Sequence, residues 1–284
     1  MSKIALFLLL FLSACAYCPN SVVYRELYDH LNISYAHCEP MQETPYFLVI
    51  LVEARHLDYS CPRSFFKTLA KHPSDGSKNG DVGHAWIYIQ GESACLEGGH
   101  SGELGRTQPR YVEGVFLNYE QEDENPISYL WECQRDGFFQ WGGGKHSPTF
   151  AIKVDLTVDQ FHRILKFIES YDYSEYAITG NQCCTFATQI AAFAGLDLDC
   201  EITLPVDQCL KVNAQEIILW KDPVYAEITF STPDILERSM MKAVAEESAE
   251  YALSWYRQCH RSAKQYSLQD LIKFPERYIR FKTL

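Results

Sequence analysis

Two short stretches, far apart in the chain, carry residue types able to do covalent chemistry: Gly83-His84-Ala85-Trp86-Ile87-Tyr88-Ile89 and Tyr176-Ala177-Ile178-Thr179-Gly180-Asn181-Gln182-Cys183-Cys184-Thr185-Phe186. In the second, turn residues lead straight into a cysteine pair, and Phe186, Ile190 and Phe193 then recur at helical spacing. A cysteine in the first turn of a helix sits at the positive end of the helix dipole and beside unpaired backbone amides. Both lower a thiol's pKa, and the amides can also hold a developing oxyanion. Cys184 shares that turn but points about 100° around the axis, so only one of the two faces a given cleft. Helical phase alone leaves the choice open; Cys183, three residues before Phe186, lies near the edge of the apolar face.

In the first stretch the two-residue period of a strand places His84, Trp86 and Tyr88 on one face and Ala85, Ile87 and Ile89 on the other. A hairpin loop of two residues at 90–91, or of four at 90–93, makes directly opposed residues odd in sum. Cys95 and Glu97 then share the face of His84, whereas an odd-length loop or a bulge would reverse this. A carboxylate beside an imidazole fixes its tautomer and stabilises its charged form, which a general base requires. Taken singly, a strand histidine and a buried cysteine pair are more often packing than chemistry. Together they supply what a thiol hydrolase needs, a nucleophile and a base on neighbouring elements.

The elements that must position these groups follow from hydrophobic patterning. Tyr46 to Glu53 is a continuous apolar run of strand length, buried on both faces. The polar stretch 72–81 reads as loop, His84 to Ile89 and Ala94 to Glu97 as a hairpin ended by Gly98 and Gly99, and 102–148 as a long irregular lid with many aromatics. Those aromatics fit core packing better than a substrate pocket. Phe150 to Val154 is a strand, and Thr157 with Gln160 forms a capping box ahead of Phe161, Ile164, Leu165 and Ile168. The second helix starts near Cys183 and stops at Gly195. Ile217 to Trp220 and Tyr225 to Phe230 are strands around a Lys221-Asp222-Pro223 turn, and from Pro233 onward one long amphipathic helix is expected, with Leu236, Met240, Val244, Tyr251, Trp255 and Cys259 on one face.

The N-terminus reads as an export address. Lys3 precedes the apolar run Ile4 to Leu12, too short to span a bilayer, and Leu12-Ser13-Ala14-Cys15 resembles the bacterial lipobox, where Cys15 is lipidated and the chain is cut before it. Ala16 after the lipidated cysteine implies the outer membrane of a diderm bacterium. The expected organisation is a signal peptide over 1–14, a tether over 15–44, a catalytic domain over 45–232 and a helical extension over 233–284.

Composition narrows the function classes. With 284 residues, 47% hydrophobic and 22% charged, the chain has a core's worth of apolar material, and disorder, collagen and coiled coil are excluded. Lys+Arg number 25 against 37 Asp+Glu, a formal charge of -12, which argues against a nucleic-acid partner. With Cys15 set aside as the lipidated residue, the other ten of the 11 cysteines form no CxxC pair of the kind that builds a zinc site, so no metal or cofactor is expected; export makes disulfides possible.

These residues resemble the circularly permuted papain-like hydrolases, in which histidine precedes cysteine. The branches are the bacterial permuted NlpC-like proteins, the PPPDE-type peptidases and the lecithin retinol acyltransferase-like enzymes. The histidine-strand motif is similar to His84 to Gly91; the motif of tyrosine seven residues before a cysteine and phenylalanine three after it is similar to Tyr176, Cys183 and Phe186. The chain departs in having Gln182 directly before the cysteine, with Asn181 one place earlier, and a second cysteine after it. The resemblance covers residues 45–200. It implies an α+β fold with an antiparallel sheet packed against helices, Cys183 as nucleophile in place of Cys184, His84 as base, and Glu97 as the acid that orients the imidazole, with His100 as the fallback. It further implies Tyr176 and Gln182 lining the substrate or oxyanion. The expected activity is hydrolysis of an amide bond in a cell-wall peptide or envelope protein. A lipid acyl hydrolase or acyltransferase, or an inactive binding module of the same fold, are the alternatives. The expected partners are a peptide, peptidoglycan or lipid substrate and the membrane through the lipid anchor at Cys15.

Overall fold

The computed structural model describes residues 45–70, 82–92, 95–102, 107–212 and 215–259. The expected signal peptide, the lipidated Cys15, the tether, the 72–81 loop and the end of the chain lie outside the described residues. Within them the fold is α+β, organised by one six-stranded sheet in the order β10-β5-β1-β2-β3-β4, each neighbouring pair antiparallel.

The sheet grows from β1 (Phe47–Ala54), whose eight residues are all buried. That follows from its unbroken apolar run: with no polar face to give to solvent, the strand is stable only between two neighbours and between two layers. Its neighbours are β2 (Gly83–Gln90) and β5 (Phe150–Asp155). β3 (Cys95–Ser101) pairs with β2, Gln90 lying opposite Cys95 with four residues of chain between them. That even-length loop gives the odd-sum register expected, one step further along the strand.

Three helices cover one face. α3 (Val158–Ser170) begins at the expected capping box: Thr157 Oγ1 accepts from the Gln160 amide at 3.2 Å, and Gln160 Oε1 from the Thr157 amide at 2.8 Å. α4 (Cys183–Phe193) ends at Gly195, whose φ of +87° lets the chain turn under the helix. With α5 (Pro233–Ala245) they bury Leu48, Ile50, Val52, Ala85, Ile87 and Ile89 against Ile164, Phe186, Ile190, Leu236 and Met240. The opposite face, Phe47, Val49, Leu51, Trp86 and Tyr88, is covered by Ala252, Leu253 and Tyr256 at the start of α6 (Leu253–Cys259).

Four sequence expectations change. Gly98 and Gly99 do not end β3, which runs on to Ser101. A Cβ on Gly98 would meet the Phe139 ring and the Gln140 carbonyl at 2.4 Å, so the glycines are what let β4 (Phe138–Trp141) close on β3. The 102–148 stretch is not an irregular lid: it holds α2 (Thr107–Glu120), a 3-10 turn at Pro126–Trp131 and β4. Local pattern hides α2 because Gly114 interrupts it, and that glycine is required by packing, its Cβ position lying 2.1 Å from the Tyr129 ring.

The third change concerns Ile217 to Trp220 and Tyr225 to Phe230, which do not pair with each other. β8 (Gln215–Ile218) pairs with β7 (Cys209–Val212), and β9 (Glu227–Ser231) with β6 (Glu201–Pro205). These two ribbons, with α1 (Pro62–Ala70), α2 and the 3-10 turn, bury two small satellite cores. Finally, the expected long helix after Pro233 breaks at Glu247, in the left-handed region with φ +59°. The chain then adds β10 (Glu250–Tyr251) to the sheet edge at β5 before α6 begins. Helical periodicity survives this break because both helices bury their apolar residues against the same sheet, so α5 belongs to the main core rather than to an extension.

Candidate functional site

The site forms where β2 begins and α4 begins. Cys183 is the first residue of α4, and the first intrahelical bond, Phe186 amide to Gln182 carbonyl at 3.0 Å, leaves the amides of Cys183 and Cys184 unused by the helix. The helix start is fixed by Thr185, whose hydroxyl accepts from the Gln182 amide at 2.7 Å. α4 packs on the Ala85 side of β2 and β3.

Cys183 and Cys184 are both buried, with their sulfurs 3.8 Å apart. Their environments push them in opposite directions. The Cys184 thiol, donating toward Cys183, is the first cause that holds the Cys183 pKa well below the ordinary thiol range; burial opposes it, and the His84 side chain and the Ala85 amide reinforce it. Cys184 is pushed well up, first by burial and then by Cys183. The two thiols therefore differ in environment, a distinction that helical phase could not make. The geometry favours Cys183 as the thiolate because only it has the imidazole among the groups that act on it.

His84 is buried, 4% exposed, and its ring stacks on Trp86 at 5.8 Å between centroids with 14° between planes. The influence of His84 on Cys183 works through a loose contact, since no aligned donor–acceptor pair joins them and His84 Nε2 has no hydrogen-bond partner. Such contacts in thiol and serine hydrolases tighten when substrate arrives.

The carboxylate expected to orient His84 is elsewhere. Glu97 does share the sheet face of His84, but it lies opposite Tyr88. Four residues of strand separate Tyr88 from His84, roughly 13 Å at the strand rise. Glu97 Oε1 instead accepts from Trp86 Nε1 at 3.0 Å and from the Tyr256 hydroxyl at 2.5 Å. It ties α6 to the sheet. The fallback, His100, is also otherwise engaged. It is fully buried on the other face among Tyr171, Tyr173, Tyr176 and Phe186. Its Nε2 faces the Tyr173 carbonyl at 2.9 Å, which can only accept; Nδ1 is then the acceptor for the Tyr171 hydroxyl at 3.2 Å. Burial pushes its pKa down, so it is a neutral core histidine.

Of the two residues expected to line the oxyanion, Gln182 turns the wrong end of its amide to the sulfur. Its Nε2 donates to the Ser231 carbonyl at 2.8 Å and reaches the Ile178 carbonyl at 3.4 Å, which leaves Oε1, an acceptor, 3.6 Å from Cys183 Sγ. An oxyanion needs a donor there, so Gln182 anchors the start of the helix instead. Tyr176 stays within electrostatic reach of Cys183, and its phenol is pushed well above its ordinary value, first by burial and then by Cys183. It is therefore a protonated donor at neutral pH.

Residues that sequence reasoning missed stand next to His84. Glu53 is its direct cross-strand partner in the β1–β2 register, and His146, from the turn before β5, places its ring 4.9 Å from that of His84. Their signal in the sequence was weak: a single glutamate closing an apolar run and a histidine after three glycines.

Comparison with family models, with curated proteins and with solved structures finds no match to this chain. Among the described residues no helix is long and apolar enough to cross a membrane. Among the described residues Cys95, Cys133, Cys183, Cys184, Cys200 and Cys209 are free thiols.

Proposed function

We propose that this chain is a cysteine-dependent acyl-transfer hydrolase of the permuted papain-like kind, acting on an amide bond of a cell-wall peptide or envelope protein. The observation that carries the reading is the first-turn cysteine of α4, its pKa lowered by the neighbouring thiol and by a strand histidine. The order of elements, histidine strand before nucleophile helix with an antiparallel sheet between helical layers, supports the permuted fold. The choice of substrate rests on the lipobox-like N-terminus, which would set the domain beside the wall.

In this mechanism Cys183 Sγ attacks the carbonyl carbon, and the oxyanion is held by the first-turn amides of α4 with Tyr176 as a further donor. His84 carries the proton to the leaving amine, a thioester forms on Cys183, and water activated by His84 releases the acid.

The test is alkylation of the purified full chain by iodoacetamide as a function of pH, with the modified residue located by mass spectrometry, in wild type, His84→Ala and Cys183→Ala. Labelling concentrated at Cys183, fast well below the ordinary thiol pKa of about 8.5 and slowed by His84→Ala, is expected. Slow labelling spread over several cysteines and indifferent to His84 would replace the enzyme by a binding module.

A further inference from the structure

We infer that Glu53 and His146 are the positioning pair of this site, taking the place that the sequence assigned to Glu97. The inference rests on the thiol-hydrolase reading above. Three observations carry it. Glu53, 5% exposed, is directly opposite His84 in the β1–β2 register. Gly83, with φ +97°, leaves room for the Glu53 carbonyl oxygen only 2.0 Å from where a Cβ would stand. Second, Glu53 Oε2 binds His146 Nδ1 at 2.5 Å, a short bond of the kind a carboxylate makes to an imidazole N–H.

Third, the segment carrying His146 is fixed to the same end of the sheet. The His146 amide bonds the Gly143 carbonyl at 2.9 Å, Gly143 lies against the Trp86 indole with no room for a Cβ, and the Thr149 amide bonds the Val52 carbonyl at 2.8 Å. His84 therefore has a ring on β2, Trp86, and a ring on this turn, His146, in contact with it, the latter tilted by 30°. With Nε2 unpartnered, no hydrogen bond at that nitrogen orients the imidazole; these two rings do. Glu53 stands directly opposite His84 across the strand pair, and its bond to His146 holds in place the ring that packs on the imidazole.

The charged and titratable groups around His84 are Glu53 on β1, His146 on the turn before β5, Cys183 on α4 and, on the other face of the sheet, His100 on β3. Arg55 stands just beyond β1, its guanidinium 4.0 Å from Glu53 Oε1. Burial pushes the His100 pKa down, and Glu53 is the carboxylate directly opposite His84 in the β1–β2 register.

The test repeats the alkylation profile with Glu53→Gln, His146→Ala and His146→Phe, each checked for fold by circular dichroism and thermal unfolding. Glu53→Gln and His146→Ala are each expected to slow Cys183 labelling at pH 6 about tenfold, equivalent to raising the lower inflection by about one pH unit. His146→Phe, which keeps a ring but not the bond to Glu53, should retain part of the rate. A fast wild-type thiol whose profile is unmoved by all three changes overturns this inference alone; a wild type with no fast thiol removes the hydrolase reading and this inference with it. Should Glu53→Gln fail to fold, the His146 variants carry the test, since that side chain is partly exposed.

Discussion

Two glutamates on one face of the same sheet, Glu53 and Glu97, meet different fates. Glu53, next to last in β1, lies opposite His84 and binds a second histidine. Glu97 sits opposite Tyr88, further along the strand, and serves as a joint between Trp86 and Tyr256 of α6. A shared face is set by parity in the hairpin and was readable in advance. A shared site is set by distance along the strand, which depends on where each strand begins and on who its other neighbour is. β2 has β1 on one side and β3 on the other, and it is β1 that presents a carboxylate level with His84.

The sharpest way to break the Glu53 end is Gly83→Ala. The residue would have to hold φ +97° and displace the Glu53 carbonyl, so stability should fall by about 1–3 kcal/mol from backbone strain alone. In denaturant titration the midpoint drops, and in the folded fraction Cys183 labelling slows as His84 shifts. Unchanged labelling would mean that the β1–β2 approach does not place the histidine.

At the Glu97 end, Tyr256→Phe removes one bond to a carboxylate and should cost about 1.5 kcal/mol. Burial, first, and then Glu97 raise the Tyr256 phenol, so it remains the donor across the working pH range. The alkylation profile of Cys183 should stay where it was. A slowed profile would show that Glu97 reaches His84 through the Trp86 ring, and the contrast between the two carboxylates would narrow.

The smallest effect belongs to a second histidine–carboxylate pair, which anchors the loop after β1. His56 Nε2 meets Glu237 at 2.6 Å, while Asp234 accepts from the amides of Arg55, His56 and Leu57 and from the Tyr59 hydroxyl. The hydrogen bond to Glu237 is the main cause that raises the His56 pKa. A raised folded value means that the folded state holds its proton longer. Its stabilisation is complete below the ordinary histidine pKa of about 6.5 and is lost as pH rises through the raised value. Denaturation midpoints should therefore fall slightly from pH 6 to pH 9 in wild type, and His56→Gln should flatten that slope without moving the labelling of Cys183.

Much of the frame was legible because it rests on local rules. An all-apolar run must be an interior strand, Thr157 with Gln160 must open a helix, and Gly195 must close one; each depends on residues within one turn of each other. The place of Cys183 at a helix start follows from the same short-range periods, whereas the face shared by His84 and Glu97 was conditional on an even-length hairpin loop. What stayed hidden is long-range. α2 was masked by a glycine that only the Tyr129 ring explains, and β10 by a helical pattern that two helices share across a break at Glu247. The different environments of Cys183 and Cys184, the retirement of His100 into an aromatic core, the turned amide of Gln182 and the arrival of His146 beside His84 come from contacts between segments distant in the chain. Sequence fixes what each segment can be, because propensity and periodicity are local energies. Only the packed structure decides which carboxylate meets which imidazole, because that depends on register and burial, which no single segment contains.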